Sequence, residues 1–175
     1  MLARLHAADR QLFTRIFRQS ERKAIIPLAR ALSRSGDGYL YALIPLTLWA
    51  LNIPKSGLLV IALALGFTLE RILYGILKRT LKRRRPANAI PGFNSLIIAS
   101  DKFSFPSGHA SGAFLFATSM TFTFGAPLLA IYLWASGVAL SRVLLGVHFP
   151  GDIVAGSFLG ASIGLICIAL LGSAW

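Results

Sequence analysis

The chain has 175 residues, 55% of them hydrophobic and only 14% charged, with a mean hydropathy of +0.69, too little charge to clothe a soluble domain of that length. Its formal net charge of +12 raises nucleic acid as a partner, but the basic residues crowd the first 34 positions and Lys78 to Arg85. These clusters flank apolar runs, where they favour anionic lipid headgroups, and no interleaving of aromatic and basic residues of the single-strand-binding kind occurs, so nucleic acid is excluded.

The fold class that remains is all-α: a polytopic membrane helix bundle with five to six transmembrane helices and an N-terminal amphipathic segment. In that segment Leu2, Leu5, Leu12, Phe13, Ile16 and Phe17 are interspersed with Arg4, Arg10, Arg15 and Arg18. The pattern predicts a helix lying at the membrane interface or docked on the bundle. No uninterrupted apolar stretch precedes Lys23, so no signal peptide is expected. Ala24 to Ser33 is apolar but short and interrupted by Arg30. At about 1.5 Å per residue it cannot cross a core of about 30 Å alone, and it forms at most an imperfect first span. Residues 1–35 are thus set apart from a bundle over 36–175.

Ser35-Gly36-Asp37-Gly38 makes a turn. Tyr39 to Ile53 is the next apolar stretch, with Pro45 inside it, and Asn52 to Lys55 connects it to a span over Gly57 to Leu77. That span carries Glu70 and Arg71, and Glu70 is expected to pair with a nearby arginine or lysine. Lys78 to Arg85 places six basic residues in eight positions, and Pro86 is expected to stop the helix. Ala87 to Ser104 is a long mixed loop that could cover a site. Gly108 to Phe124, Leu128 to Val147 and Ile153 to Leu171 are further spans, the first two separated by the turn Gly125-Ala126-Pro127. Gly156, Gly160 and Gly164 recur at four-residue spacing and give the last span a face that a neighbour can approach closely. The lone cysteine, Cys167, cannot form an intrachain disulfide and reads as a small packing residue.

Counting spans brings three polar segments to one face of the membrane: Lys78 to Ser104, Pro106 to His109 and Val147 to Gly151. Asn52 to Lys55 and Gly125 to Pro127 fall on the other. At the shared face stand three cations, Lys78, Arg85 and Arg142, with two of the chain's three histidines, His109 and His148, and Asp152. Fixed cations and aimed N–H donors are what a phosphoryl group needs. Lys78 and Arg85 share a face if the helix continues for two turns. Ser107 offers a hydroxyl, and the Ser107 and Gly108 amides lie at a helix start. His148 can act as nucleophile, Asp152 can hydrogen-bond its far ring nitrogen, and His109 can protonate the leaving oxygen and later activate water. Ser107 and Asp152 could equally be no more than helix caps. Two His and an Asp could ligate zinc, but the surrounding cations would repel it. No metal and no other cofactor is expected.

These residues resemble the type-2 phosphatidic acid phosphatase superfamily, whose signature is Lys, six residues, Arg-Pro; Pro-Ser-Gly-His; and Ser-Arg, five residues, His, three residues, Asp. Lys78 with Arg85-Pro86, Pro106 to His109, and Ser141-Arg142 with His148 and Asp152 match all three parts in order. The resemblance implies a metal-independent lipid phosphatase working through a phosphohistidine. His148 would be nucleophile, Asp152 its orienting partner and His109 the general acid. Lys78, Arg85, Ser107, Gly108 and Arg142 would hold phosphate. It also implies an inner (plasma) membrane protein whose site faces the periplasm or exterior. The partner would be a lipid in the bilayer such as undecaprenyl diphosphate, phosphatidylglycerophosphate or phosphatidate. Phosphotransfer between lipids, a non-catalytic lipid-binding protein and a vanadate-dependent haloperoxidase are the competing functions, the last disfavoured by membrane embedding.

Overall fold

The computed structural model describes residues 2–22 and 24–172, without the side chains of residues 2–5 and 21. The side chains of Leu2, Arg4 and Leu5 of the amphipathic pattern, and the last three residues of the expected bundle, therefore lie outside the described residues. Among the described residues the chain forms α1 (Leu2–Phe17), a 3-10 turn (Arg18–Glu21), α2 (Ile25–Ser35), α3 (Tyr39–Ala50), α4 (Ser56–Leu81), a one-turn α5 (Pro86–Ala89), α6 (Gly108–Phe124), a second 3-10 turn (Ala126–Ala130), α7 (Ile131–Leu144) and α8 (Pro150–Leu171), and no β-strand.

Helix α6 is the hub. Its sequence is rich in Gly, Ala, Ser and Thr, with no apolar stripe, and 12 of its 17 residues are buried, as a helix surrounded by others requires. Small side chains let α8 lie directly on it. Gly156 and Gly160 of α8 face the Ser107 and Ser111 carbonyl oxygens so closely that a Cβ at either glycine would overlap them, and Gly164 meets Thr118 and the Leu115 carbonyl. The constant offset of these pairs shows that α6 and α8 run parallel. The glycine spacing is thus a packing device, as expected. Around this pair, Tyr41, Leu59, Leu63, Leu115, Phe116 and Ile163 form the main core with Cys167, which is buried among them. Leu133, Phe158 and Leu170 project outward from α7 and α8, as side chains facing lipid do.

Three stretches are long and apolar enough to cross a membrane: Ser56–Leu81, Ala126–Leu144 and Pro150–Leu171. Helix α3, with 12 residues, and α6, with 17, extend about 18 and 25 Å against a core of about 30 Å. Asp37 just before α3 contacts His109 at the start of α6, so both helices start level with the site.

Several boundaries differ from expectation. Helix α4 runs past Leu77 to Leu81 and ends on Lys82, which is left-handed with φ 45°. Pro86 therefore does not stop it; Pro86 opens α5, and the residue before it, Arg85, is extended with ψ 159°, as a residue preceding proline must be. Lys78 and Arg85 consequently do not share a helix face. Helix α7 stops at Leu144 rather than Val147, because Gly146 turns the chain at φ 79°. Helix α8 starts at Pro150, which brings Asp152 into its first turn.

Gly160→Ala should drive a methyl into the Ser111 carbonyl and lower the thermal unfolding temperature of the detergent-solubilised protein, at a cost of about 1–3 kcal/mol or more. Val154→Ala on the exposed face of α8 should change it little, by about 0.5 kcal/mol.

Candidate active site

Backbone contacts join the three polar segments. The Ser107 N–H donates to the Asp152 carbonyl at 3.0 Å and the Ser104 N–H to the Arg83 carbonyl at 2.8 Å. The Arg85 guanidinium donates to the Val147 carbonyl at 2.6 Å. Arg85 thus reaches the site from an extended strand of backbone rather than from the helix that carries Lys78.

His148 follows the Gly146 turn and is 2% exposed. Its Nε2 lies 3.4 Å from Arg85 Nη1, and its Nδ1 lies 3.6 Å from Asp152 Oδ2, beyond hydrogen-bond distance. The expected Asp152–His148 hydrogen bond is therefore not made, and Nδ1 is buried without a partner. The carboxylate is engaged elsewhere. Oδ2 accepts the Phe149 N–H at 2.8 Å, and Oδ1 accepts from Arg83 at 2.7 Å. Asp152 is thus a helix cap as well as a neighbour of the histidine. Burial, reinforced by Arg85 and Arg142 and opposed by Asp152, pushes the His148 imidazole down to about 4, so it is neutral at pH 7.

His109, the second residue of α6, places Nε2 2.9 Å from Asp37 Oδ1. Ser107 caps α6 through a long contact from the Ala110 N–H, 3.5 Å, and is fully buried. Gly108 gives room to Tyr74 and Arg71, whose atoms would lie 3.1 and 3.4 Å from a Cβ there.

The cations divide into two kinds. Lys78 and Arg85 are held by Asp101 from the long loop. Lys78 Nζ lies 2.6 Å from Asp101 Oδ2, Tyr74 donates to the same oxygen at 2.6 Å, and Arg85 bonds Oδ1. Burial alone would raise the Asp101 carboxyl, but these donors hold it well below the usual carboxylate range. Arg142 is different. It is 6% exposed, bonds the Ser33 hydroxyl through Nη1, leaves Nε without a partner and meets no carboxylate among the described residues. Glu70 is fully buried and pairs with Arg71 at 2.5 Å, as expected.

Gly108, His109, His148, Arg85 and Arg142 line one cavity of about 1090 Å³. Lys78, Ser107 and Asp152 stand behind its wall. Asp37, Arg71, Tyr74 and Asp101 line it too, and on the far side it continues between α3 and α4 along Tyr41, Pro45, Leu46, Val60, Leu63 and Phe67. Asp9, Asp37, Arg83 and Asp101 escaped sequence reasoning. For the three aspartates the signal that could have found them is scarcity, since the chain has only six acidic residues against eighteen basic ones; Arg83 has no such signal. Among the described residues no group of three or more His, Cys, Asp or Glu side chains comes together as a metal site would need.

A cavity bordered by two histidines and the unneutralised Arg142, at one end of an apolar helix bundle, is what a membrane phosphatase acting on phosphate esters requires. The PAP2 superfamily model matches residues 58–174, and the chain belongs to that family. It is 32% identical over 146 residues to decaprenylphosphoryl-5-phosphoribose phosphatase of Mycobacterium tuberculosis, covering 83% of this chain and 80% of that one. It is 29% identical to an undecaprenyl-diphosphatase of Sulfolobus acidocaldarius, over 79% of this chain and 67% of that one. The crystal structure of Aquifex aeolicus LpxE superposes with a TM-score of 0.77 at 28% identity, over 91% of this chain and 93% of that one.

The His148 ring resonance, assigned by its loss in His148→Ala, should titrate near pH 4 in isotope-labelled protein. A midpoint at or above the ordinary value of about 6.5 would mean that the Asp152 carboxylate outweighs burial and the two arginines.

Proposed function

We propose that the chain is a lipid phosphate phosphatase that works through a phosphohistidine on His148. The observation that carries this reading is Arg142. A buried guanidinium with a free donor and no carboxylate, on the wall shared by both histidines, is costly unless an anion completes it. Arg85, Arg142 and the Gly108 amide at the start of α6 receive the phosphoryl oxygens. Lys78 and Ser107 support them from behind the wall, and phosphate takes over part of the charge that Asp101 now balances. Neutral His148 attacks phosphorus through Nε2, its Nδ1 proton turned toward Asp152. His109 gives a proton to the departing oxygen, then takes one from the water that cleaves the phosphorus–nitrogen bond, and inorganic phosphate leaves.

The apolar half of the cavity, between α3 and α4, accommodates a lipid chain. Relatives named for decaprenyl and undecaprenyl phosphate chemistry favour a polyprenyl phosphate or diphosphate over phosphatidylglycerophosphate or phosphatidate. Three long apolar stretches, α4, α7 with the turn before it, and α8, together with the shorter α3 and α6, make five crossings of the inner membrane in this proposal. Helix α2 stays at the site end, because Arg30 bonds the Leu96 carbonyl and Asp37 bonds His109.

The family resemblance puts the site outside the cell. The basic residues of α1, α2 and the Lys78–Lys102 segment at the site end stand against the positive-inside tendency, and a role in holding an anionic substrate accounts for those around Lys78. On a background lacking Cys167, Ile98→Cys, whose parent residue is 97% exposed in the loop over the site, should then react with a membrane-impermeant thiol reagent in intact cells while Asn52→Cys resists it. The opposite labelling would establish a cytoplasmic site.

In detergent with EDTA present, purified protein should release phosphate from polyprenyl diphosphates or monophosphates faster than from phosphatidate. A phosphoryl-protein stable to alkali and labile to acid should accumulate during turnover. His148→Ala should lower kcat by about 10³-fold or more and abolish that adduct. Turnover that survives the substitution would end the nucleophile assignment.

A further inference from the structure

We propose that Arg83 and Asp9 are positioning residues for Asp152, so that helix α1, which contains no part of the three signature segments, belongs to the catalytic apparatus. The proposal rests on the reading of Asp152 and His148 given above.

Arg83 bridges two carboxylates, with Nη1 2.7 Å from Asp152 Oδ1 and Nη2 2.5 Å from Asp9 Oδ2. The other Asp9 oxygen, Oδ1, accepts the Gly151 N–H at 2.8 Å, one of the unpaired donors in the first turn of α8. Asp9 therefore caps, from another helix, the turn that holds Asp152. Asp152 is fully buried, while Asp9 and Arg83 are 15% and 16% exposed, so the chain of charges is shielded enough for its geometry to be set by pairing.

The surrounding packing fits the same arrangement. The Arg83 guanidinium lies over the Phe149 ring, 4.5 Å from its centroid. Phe149 in turn packs edge-on against Phe13 of α1 at 5.3 Å, and Phe13 is 1% exposed. At Gly151 a Cβ would lie 3.0 Å from Asp9 and 3.4 Å from Arg83, so a bare backbone is what lets the pair reach α8.

Without Arg83, Asp152 Oδ1 would be buried and unpaired. The carboxylate would turn or take up a proton, and the Nδ1 side of His148 would lose its fixed acceptor. Such a loss falls on the chemical step and leaves the cavity wall that binds phosphate in place.

The test measures kcat and KM separately for full-length protein carrying Arg83→Gln, Arg83→Lys or Asp9→Asn, each alone and combined with Asp152→Asn. Arg83→Gln should lower kcat about 10- to 100-fold, the range seen when outer partners of a working histidine are removed, with KM changed by less than about threefold. Arg83→Lys keeps the charge but cannot bridge two carboxylates, and should lie between Arg83→Gln and wild type. Asp9→Asn should cost least, because the amide oxygen still accepts. In the Asp152→Asn background the same substitutions should cost little more, since the residue they act through has lost its charge. An unchanged kcat in Arg83→Gln, or losses that multiply undiminished in the Asp152→Asn background, would overturn the proposal. Should Arg83→Gln not fold, Arg83→Lys and Asp9→Asn carry the same cycle. Failure of the underlying reading shows separately, as absence of phosphate release by wild type or as release that survives His148→Ala.

Discussion

The contact between α6 and α8 fixes everything near the phosphate site. Two helices can approach until a carbonyl of one meets the Cα of the other only where side chains are absent. Gly156 and Gly160 provide that opposite Ser107 and Ser111. The approach lets the Ser107 N–H reach the Asp152 carbonyl, which joins the first turns of the two helices. His109 lies in one of those turns and Asp152 in the other, and His148 lies just before the second. A shift of one helix along the other would separate His109 from His148, so the glycine face sets the distance between the two histidines. Rigid elements hold such constellations better than loops do.

Charge is distributed against this frame in a way that composition alone does not reveal. Five of the six acidic residues pair with a base at or beside the site: Asp9, Asp37, Glu70, Asp101 and Asp152. Acids hold Arg83, Lys78, Arg85 and Arg71 in place, and among the described residues Arg142 alone of the buried cations on the cavity wall is left without one. Neutralising every cation would leave nothing to attract phosphate, whereas neutralising none would disorder the loop over the site. The same excess of positive charge works with burial to keep the His148 imidazole neutral, the form that the proposed attack on phosphorus requires.

The sequence made the three segments and their shared face legible because spacing within a motif and the alternation of spans are local or topological properties. The Glu70 pairing, the glycine face and the buried Cys167 were legible for the same reason. Helix ends were not. Pro86 is a strong local signal, but the turn at Lys82 comes four residues earlier, where the Arg83 carbonyl pairs with Ser104 far along the chain. The partners of the catalytic groups were hidden too. Asp9 and Asp152 are 143 positions apart and meet only through Arg83, one of four consecutive basic residues that look interchangeable in sequence. Nothing in Lys82-Arg83-Arg84-Arg85 distinguishes the residue that bridges carboxylates from the one that lines the cavity.

Across the 3.6 Å between His148 Nδ1 and Asp152 Oδ2, the two groups are unequally held. Asp152 is anchored at both oxygens, by the Phe149 N–H and by Arg83, and Arg83 is anchored in turn by Asp9. The imidazole has a weak 3.4 Å contact to Arg85 on one nitrogen and none on the other. On the mechanism proposed above, phosphate would compete for the Arg85 guanidinium that now contacts Nε2. A small rotation of the ring would then bring Nδ1 within hydrogen-bond distance of the carboxylate. The carboxylate is the firmly held element and the ring the loosely held one, so on that mechanism Arg85 would couple phosphate binding to the alignment of His148.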